Sequence, residues 1–290
     1  GWELGNNIKS FLESLDIRVG TLESAIGDGQ SLCHIKMAHK KMGNVIYSPD
    51  ESIAVLKELN INAVSLANNH ACDCDLEGLN HTIEILEKNN IAFFGAGRNE
   101  REASRPATIT IKGYKVGLLG YCYPNTNARY VPNETIGGLN FYSKEKVLDD
   151  IRKYKDIYDY LFILPHWGIQ HERRPLYVDI KAAKSFIKEG ATAVIGSHTH
   201  ILQPTFCYKK RVIAMSLGNF IFPDRYIVSP RVTYYPSIEE RKNKNLPITY
   251  SYPIVNELTY KKVPIDGRYG AICSIDLEAD KYTYKIIHTY

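Results

Sequence analysis

Four short segments of the chain carry residues able to hold a metal ion. They are Thr21-Leu22-Glu23-Ser24, Asn68-Asn69-His70, Pro165-His166-Trp167-Gly168 and Ser197-His198-Thr199-His200. Five of the nine histidines (His70, His166, His171, His198 and His200) lie in or near three of these segments. Each segment alone has an ordinary explanation. A single histidine is more often a hydrogen-bonded surface or core residue than a ligand. Asn-Asn-His is commonly just a turn, and alternate residues on a strand point the same way for any reason. Taken together, the segments supply a carboxylate, an amide oxygen and several imidazoles. Mixed oxygen and nitrogen ligation suits a borderline divalent cation such as Zn, Mn or Fe.

Such ligands need rigid elements to bring them together, and the sequence predicts strands ahead of all four segments. Ile17 to Leu22 reads as a short strand, Asn62 to Ala67 as a compact apolar one, Tyr160 to Leu164 and Ala193 to Gly196 as two more. Loops at the carboxyl ends of strands form the ligand crevice of open α/β sheets. Between the strands, Ile53, Leu56 and Leu59 mark one helix face, with Ser48-Pro49-Asp50-Glu51 as its start signal. Leu76, Leu79, Ile83 and Leu86 mark a second helix, 143–154 a third, and Ile180, Ala183 and Ile187 a fourth, capped by Asp179 and closed by Gly190. Ile91 to Phe94 is a further strand, and Ala107–Ile111 with Lys115–Tyr121 reads as a hairpin. Beyond about residue 204 short strands and turns dominate: Arg211–Ser216, Ile254–Lys261, Ala271–Asp276 and Tyr282–Ile287. The charged stretch Glu239–Asn245 reads as an exposed loop. The pattern favours one α/β domain over residues 1–290.

Composition narrows the function classes. The chain has 290 residues, 44% hydrophobic and 23% charged, which is globular and not disordered. A formal net charge of +4 with no long basic run argues against a nucleic-acid partner. No apolar run approaches the roughly 18–20 residues that span a bilayer. Six cysteines in a chain this long are expected to be mostly ordinary thiols. Cys72 and Cys74 flank Asp73 close to the proposed ligands and could be soft metal ligands; alternate positions pair poorly with each other, so free thiols that ligate nothing are expected.

The motifs occur in a recognisable order. Gly20-Thr21-Leu22-Glu23-Ser24, Ser65-Leu66-Ala67-Asn68-Asn69-His70-Ala71, Gly95-Ala96-Gly97, His166-Trp167-Gly168, Gly196-Ser197-His198-Thr199-His200 and Ser216-Leu217-Gly218-Asn219-Phe220 together resemble the CapA family of poly-γ-glutamate capsule biosynthesis proteins. That family is related to calcineurin-like metallophosphoesterases, and the resemblance runs from about residue 10 to about residue 223. It implies a four-layer α/β/β/α sandwich with a site for two divalent metals at the strand ends. It implies Glu23, Asn69, His166, His198 and His200 as metal ligands, with Glu23 bridging, and His70 as general acid. Asp73 would orient His70 or simply cap its loop. Trp167 and Asn219 would pack or orient loops. The family pattern opens with a Gly-Asp motif that has no counterpart before Glu23. Either the first strand lies upstream of Gly1, or the site is degenerate.

The ligands point to metal-dependent hydrolysis, and the resemblance implies a phosphoester hydrolase in capsule or cell-envelope polymer synthesis. The alternatives are a non-catalytic polymer-binding subunit and chemistry at γ-glutamyl amides. The partners implied are an anionic polymer or phosphoester and capsule-synthesis machinery, with Arg98, Arg173 and Arg174 as candidate anion binders. The expected location is cytoplasmic, or the cell surface through a segment upstream of Gly1.

Overall fold

The computed structural model describes residues 6–27, 46–126, 130–222, 225–227, 259–261, 265–278 and 281–288. Two sheets organise them. The smaller is wholly parallel: β1 (Val19–Thr21), β2 (Ala63–Ser65) and β3 (Ala92–Phe94), with Val19 opposite Ala63 and Ala63 opposite Ala92. The larger has six strands: β4 (Ala107–Ile111), β5 (Tyr114–Cys122), β6 (Tyr160–His166), β7 (Ala193–Ile195), β8 (Thr205–Tyr208) and β9 (Arg211–Ala214). Their spatial order is β8-β9-β7-β6-β5-β4. The β4–β5 and β8–β9 pairs are antiparallel, while β5, β6, β7 and β9 run parallel.

The period-two pattern of these strands explains the layering. Along β5, Leu119 and Tyr121 face α2 (Lys144–Tyr154) and α3 (Tyr177–Glu189), where they meet Val147, Ile151, Ala183 and Phe186. Val116 and Leu118 point the other way, into a core shared with Ala63 and Phe94 of the smaller sheet. β6 divides likewise: Leu161 and Ile163 toward the helices, Tyr160, Phe162 and Leu164 toward the facing sheet. On the outer side of the smaller sheet, Val64 and Phe93 pack with Leu79, Ile83 and Leu86 of α1 (Asp75–Lys88). The result is the expected succession of helix, sheet, sheet, helix.

Several local expectations differ. Ser48 lies in a two-residue strand, and the turn after it begins as a 3-10 helix, Asp50–Ser52, with Pro49 in the cap position and no side-chain cap bond. Asp179 does not cap α3. Leu176 holds that position, and Asp179 sits buried in the first turn, accepting a hydrogen bond from the Tyr123 hydroxyl at 3.1 Å. Ser143 does cap α2, accepting from the Lys146 amide, and Gly190 ends α3 with φ 132°. Cys74 is disulfide-bonded, which corrects the expectation of a thiol there; its partner lies outside the described residues. Cys72 keeps a thiol. The 239–245 stretch and most of 254–261 also lie outside the described residues. The last strands, β10 (Tyr269–Asp276) and β11 (Lys281–His288), form an antiparallel pair. Among the described residues, no helix is long and apolar enough to cross a membrane.

Candidate metal centre

The two sheets face each other with the carboxyl ends of β1, β2, β6 and β7 on one side, and four loops converge there. Glu23 stands two residues beyond β1 and Asn69 four beyond β2; His166 ends β6, and His198 lies three beyond β7. The structure brings all five proposed ligands together. Asn69 Oδ1 is 2.8 Å from His166 Nε2, and His198 Nδ1 is 3.0 Å from the same nitrogen. Glu23 Oε1 lies 3.6 Å from His166 Nε2 and 3.4 Å from His200 Nε2. Donor atoms around one cation held at about 2.0–2.2 Å must lie within roughly 4.4 Å of one another. Each of these four separations meets that limit.

Electrostatics support the same arrangement. Among the described residues Glu23 Oε1 is buried and has no hydrogen-bond partner, its two imidazole neighbours being too distant for one. Burial, and then the neighbouring imidazoles of His198, His200 and His70, hold His166 well below the ordinary histidine value. Burial first and His200, His70 and His171 next push His198 down to about 3. Both rings are therefore neutral at pH 7 and present lone pairs. Asn69 Oδ1, His166 Nε2, His198 Nδ1 and Glu23 Oε1 form a cluster of acceptors with too few protons to bond them to one another. Unsatisfied buried acceptors are costly, and a divalent cation satisfies them all. The residues present fit a metal.

The ligand rings are held from behind. His166 Nδ1 meets Ser197 Oγ at 2.9 Å, which leaves Nε2 facing the cluster. His200 Nδ1 meets Asn219 Oδ1 at 3.0 Å, with the same consequence. Such partners fix both the tautomer and the ring orientation of a metal-binding histidine. Asn68 is fully buried and joins two ligand loops: its amide donates to the Leu22 carbonyl at 2.8 Å, and its Oδ1 accepts from the His70 amide at 3.0 Å. The sequence reading passed over Ser197 and Asn68. The Asn-Asn doublet was the available signal, since Asn side chains commonly hydrogen-bond a backbone two residues on.

The His-x-His segment does not work as alternation along a strand. β7 ends at Ile195, and His198 and His200 have φ of 99° and 59°. Non-glycine residues in this region store strain of order 1–3 kcal/mol. Thr199 between them is fully buried, its Oγ1 2.8 Å from both the Ile201 carbonyl and the Ser216 hydroxyl. Two left-handed residues around an anchored threonine turn both imidazoles inward.

His70 and Asp73 form a separate pair beside the cluster. His70 Nδ1 is 2.7 Å from Asp73 Oδ2, and the same oxygen accepts from the Ile46 amide at 2.6 Å. Trp167 is a packing residue: it is buried and its indole donates to the Met215 carbonyl at 3.0 Å. Two of the candidate arginines are already engaged. Arg98 pairs with Glu87 at 2.6 Å and Glu102 at 3.2 Å, and Arg173 pairs with Asp266 at 2.7 Å. Arg174 is exposed, in the loop that follows His171.

Comparison with known proteins identifies the family of this chain. The family described as bacterial capsule synthesis protein PGA_cap matches residues 2–224. Similar curated proteins include a capsule biosynthesis protein CapA of Bacillus anthracis, 27% identical over 222 residues, covering 74% of this chain and 53% of that protein. Another is a PGA biosynthesis protein CapA of Bacillus subtilis, 30% identical over 173 residues, covering 59% and 45%. The chain thus spans about half the length of these relatives. Among solved structures, an NAD nucleotidase from Haemophilus influenzae aligns with a TM-score of 0.39 and 15% identity over 53% of this chain and 26% of that one. With the family match covering the whole stretch that supplies Glu23, Asn69, His166, His198 and His200, the chain belongs to the bacterial capsule synthesis protein PGA_cap family.

Proposed function

We propose that this chain is a divalent-metal-dependent phosphoester hydrolase acting in the synthesis of a capsule or cell-envelope polymer. The family membership and the CapA relatives support the capsule role. The observation that carries the hydrolase reading is the acceptor cluster, which includes the buried Glu23 Oε1, without a hydrogen-bond partner among the described residues. Glu23, Asn69, His166 and His198 would hold one cation, and His200 with Glu23 would contribute to a second. A bound divalent cation lowers the pKa of water and stabilises charge on phosphoryl oxygens.

The chain's own residues supply the rest. Asp73 keeps a proton on His70 Nδ1, so Nε2 is the atom that delivers a proton to the leaving oxygen. Asn68 fixes the distance between the Glu23 and His70 loops. The neutral rings of His166 and His198 stay available to metal well below pH 7. Arg174, exposed in the loop after His171, would be the candidate anion binder of the three.

The test is turnover of a phosphodiester and a phosphomonoester with Mn²⁺, Zn²⁺ or Fe²⁺, with and without chelator. Chelator-sensitive turnover that is lost in His198→Ala supports the reading. Metal binding without turnover of either ester contradicts phosphoester hydrolysis and favours a binding subunit. The disulfide at Cys74 favours the cell surface over the cytoplasm, because such bonds persist in oxidising compartments. Thiol labelling of protein taken directly from cells decides this: a fully labelled Cys74 places the chain in a reducing compartment.

A further inference from the structure

We propose that Asn219 is a positioning residue for the metal centre, and that the C-terminal segment Ile265–Asp276, beyond the family-matched residues, holds it in place. The proposal rests on the reading of His200 as a metal ligand. Asn219 makes three contacts with distinct consequences. Its Oδ1 accepts the proton of His200 Nδ1 at 3.0 Å, which sets the tautomer and aims the lone pair of Nε2 toward Glu23, 3.4 Å away. Its amide nitrogen donates to the His200 carbonyl at 3.2 Å, fixing the left-handed backbone of that residue. The same nitrogen donates to the Gly267 carbonyl at 2.8 Å, in the 3-10 turn Ile265–Arg268. Asn219 is buried, so water does not replace these bonds cheaply.

The turn reaches Asn219 because two glycines let the backbones touch. Gly218 and Gly270 face each other in an isolated antiparallel bridge, and the Ala271 amide donates to the Leu217 carbonyl at 2.8 Å. A Cβ on Gly270 would collide with the Asn219 carbonyl oxygen, and one on Gly218, at φ 66°, would come within 2.6 Å of the Tyr269 oxygen. Arg173 adds a second tie, from the loop after His166 to Asp266 in the same turn. The turn is thus clamped on both sides of the centre. Its contact with Asn219 links it to His200.

The experiment compares the wild type with Asn219→Ala, Asn219→Asp and Gly270→Val. The first readout is the tautomer of His200 in metal-free protein, from the nitrogen shifts of the assigned imidazole. The second is the Mn²⁺ dissociation constant, with thermal melting to confirm folding. The wild type is expected to carry its proton on Nδ1. Asn219→Asp keeps the acceptor but loses both donors, and is expected to keep that tautomer. Asn219→Ala and Gly270→Val are expected to shift it toward Nε2–H and to weaken Mn²⁺ binding about 10–100-fold, the usual range for residues supporting a ligand. A purely structural role predicts that Asp and Ala behave alike. That result, an Nε2–H tautomer in the wild type, or an unchanged tautomer in Asn219→Ala, overturns the proposal. An unchanged Gly270→Val overturns the part assigned to the C-terminal segment. If Gly270→Val fails to fold, Asp266→Ala, which releases the turn from Arg173, takes its place with the same expected and overturning results. A wild type with the Nδ1–H tautomer that binds no Mn²⁺ supports the positioning role while refuting the metal reading itself.

Discussion

The buried imidazoles make the metal-free protein sensitive to mild acid, by an amount the structure sets. His166 is held well below 6.5 and His198 at about 3, whereas an unfolded chain protonates both near 6.5. The folded values lie below the unfolded one, so the unfolded state binds the extra protons as pH falls. The contribution to stability is complete above pH 6.5 and declines below it. Between pH 7 and pH 5 His198 forfeits about 2 kcal/mol, and His166 loses stability in the same direction. Asp179 works in the opposite direction. Burial raises it from 3.8 to about 6. Its folded value is above its unfolded value, so acidification over the same interval returns about 1 kcal/mol. With His198 alone counted against Asp179 the net loss is about 1 kcal/mol, and His166 deepens it, against the 5–15 kcal/mol typical of a domain. The assay is urea unfolding in the presence of chelator at pH 7 and pH 5, for the wild type and for His198→Asn. The variant should forfeit about 2 kcal/mol less than the wild type over this interval. Equal pH dependence in the two proteins, or a wild type as stable at pH 5 as at pH 7, would refute the inference that these rings are buried and neutral.

Other outcomes follow from single contacts. Asp179→Asn should raise stability at pH 7 by on the order of 1–3 kcal/mol, since it removes a buried carboxylate with one unpartnered oxygen while keeping an acceptor for Tyr123; a melting point unchanged or lower contradicts this. His70→Ala should keep its metal yet lose about 10²–10⁴-fold in turnover of an alkyl phosphoester, and much less with an acidic phenol as leaving group. Equal losses on both substrates would show that His70 is not the proton donor. Cys74→Ser should cost about 2–5 kcal/mol, the usual effect of deleting a native disulfide, and denaturant unfolding under non-reducing conditions measures it. A variant as stable as the wild type would mean that the bond does not brace the loop carrying His70 and Asp73.

The layers were legible because one chemical rule generates them. Alternation along Tyr114–Cys122 and Tyr160–His166, and the 3.6-residue stripe of Leu79, Ile83 and Leu86, can be read directly from the sequence. The ligand types were legible from their position after strands. The means of aiming them were not. The positive φ of His198 and His200 depends on Thr199 and Ser216 meeting across a gap of 17 residues, and no local propensity announces it. Ser197, Asn68 and Asn219 act through contacts whose partners lie 31, 46 and 48 residues away, and polar residues of these types usually sit in loops without such duties. The Asp179 reading failed because its helix starts three residues earlier than a cap at Asp179 requires, which turns a capping side chain into a buried one. The disulfide at Cys74 was missed because Cys-x-Cys spacing excludes only the adjacent pairing and says nothing of a distant one.

The central claim is that Glu23, Asn69, His166 and His198 surround one divalent cation, with His200 and Glu23 contributing to a second beside it. Anomalous diffraction at the manganese edge, from crystals of this chain equilibrated with Mn²⁺, tests it most directly. The account predicts a peak within about 2.0–2.3 Å of Glu23 Oε1, Asn69 Oδ1, His166 Nε2 and His198 Nδ1, absent in His198→Ala. No peak at saturating Mn²⁺, or a peak coordinated elsewhere, would contradict it.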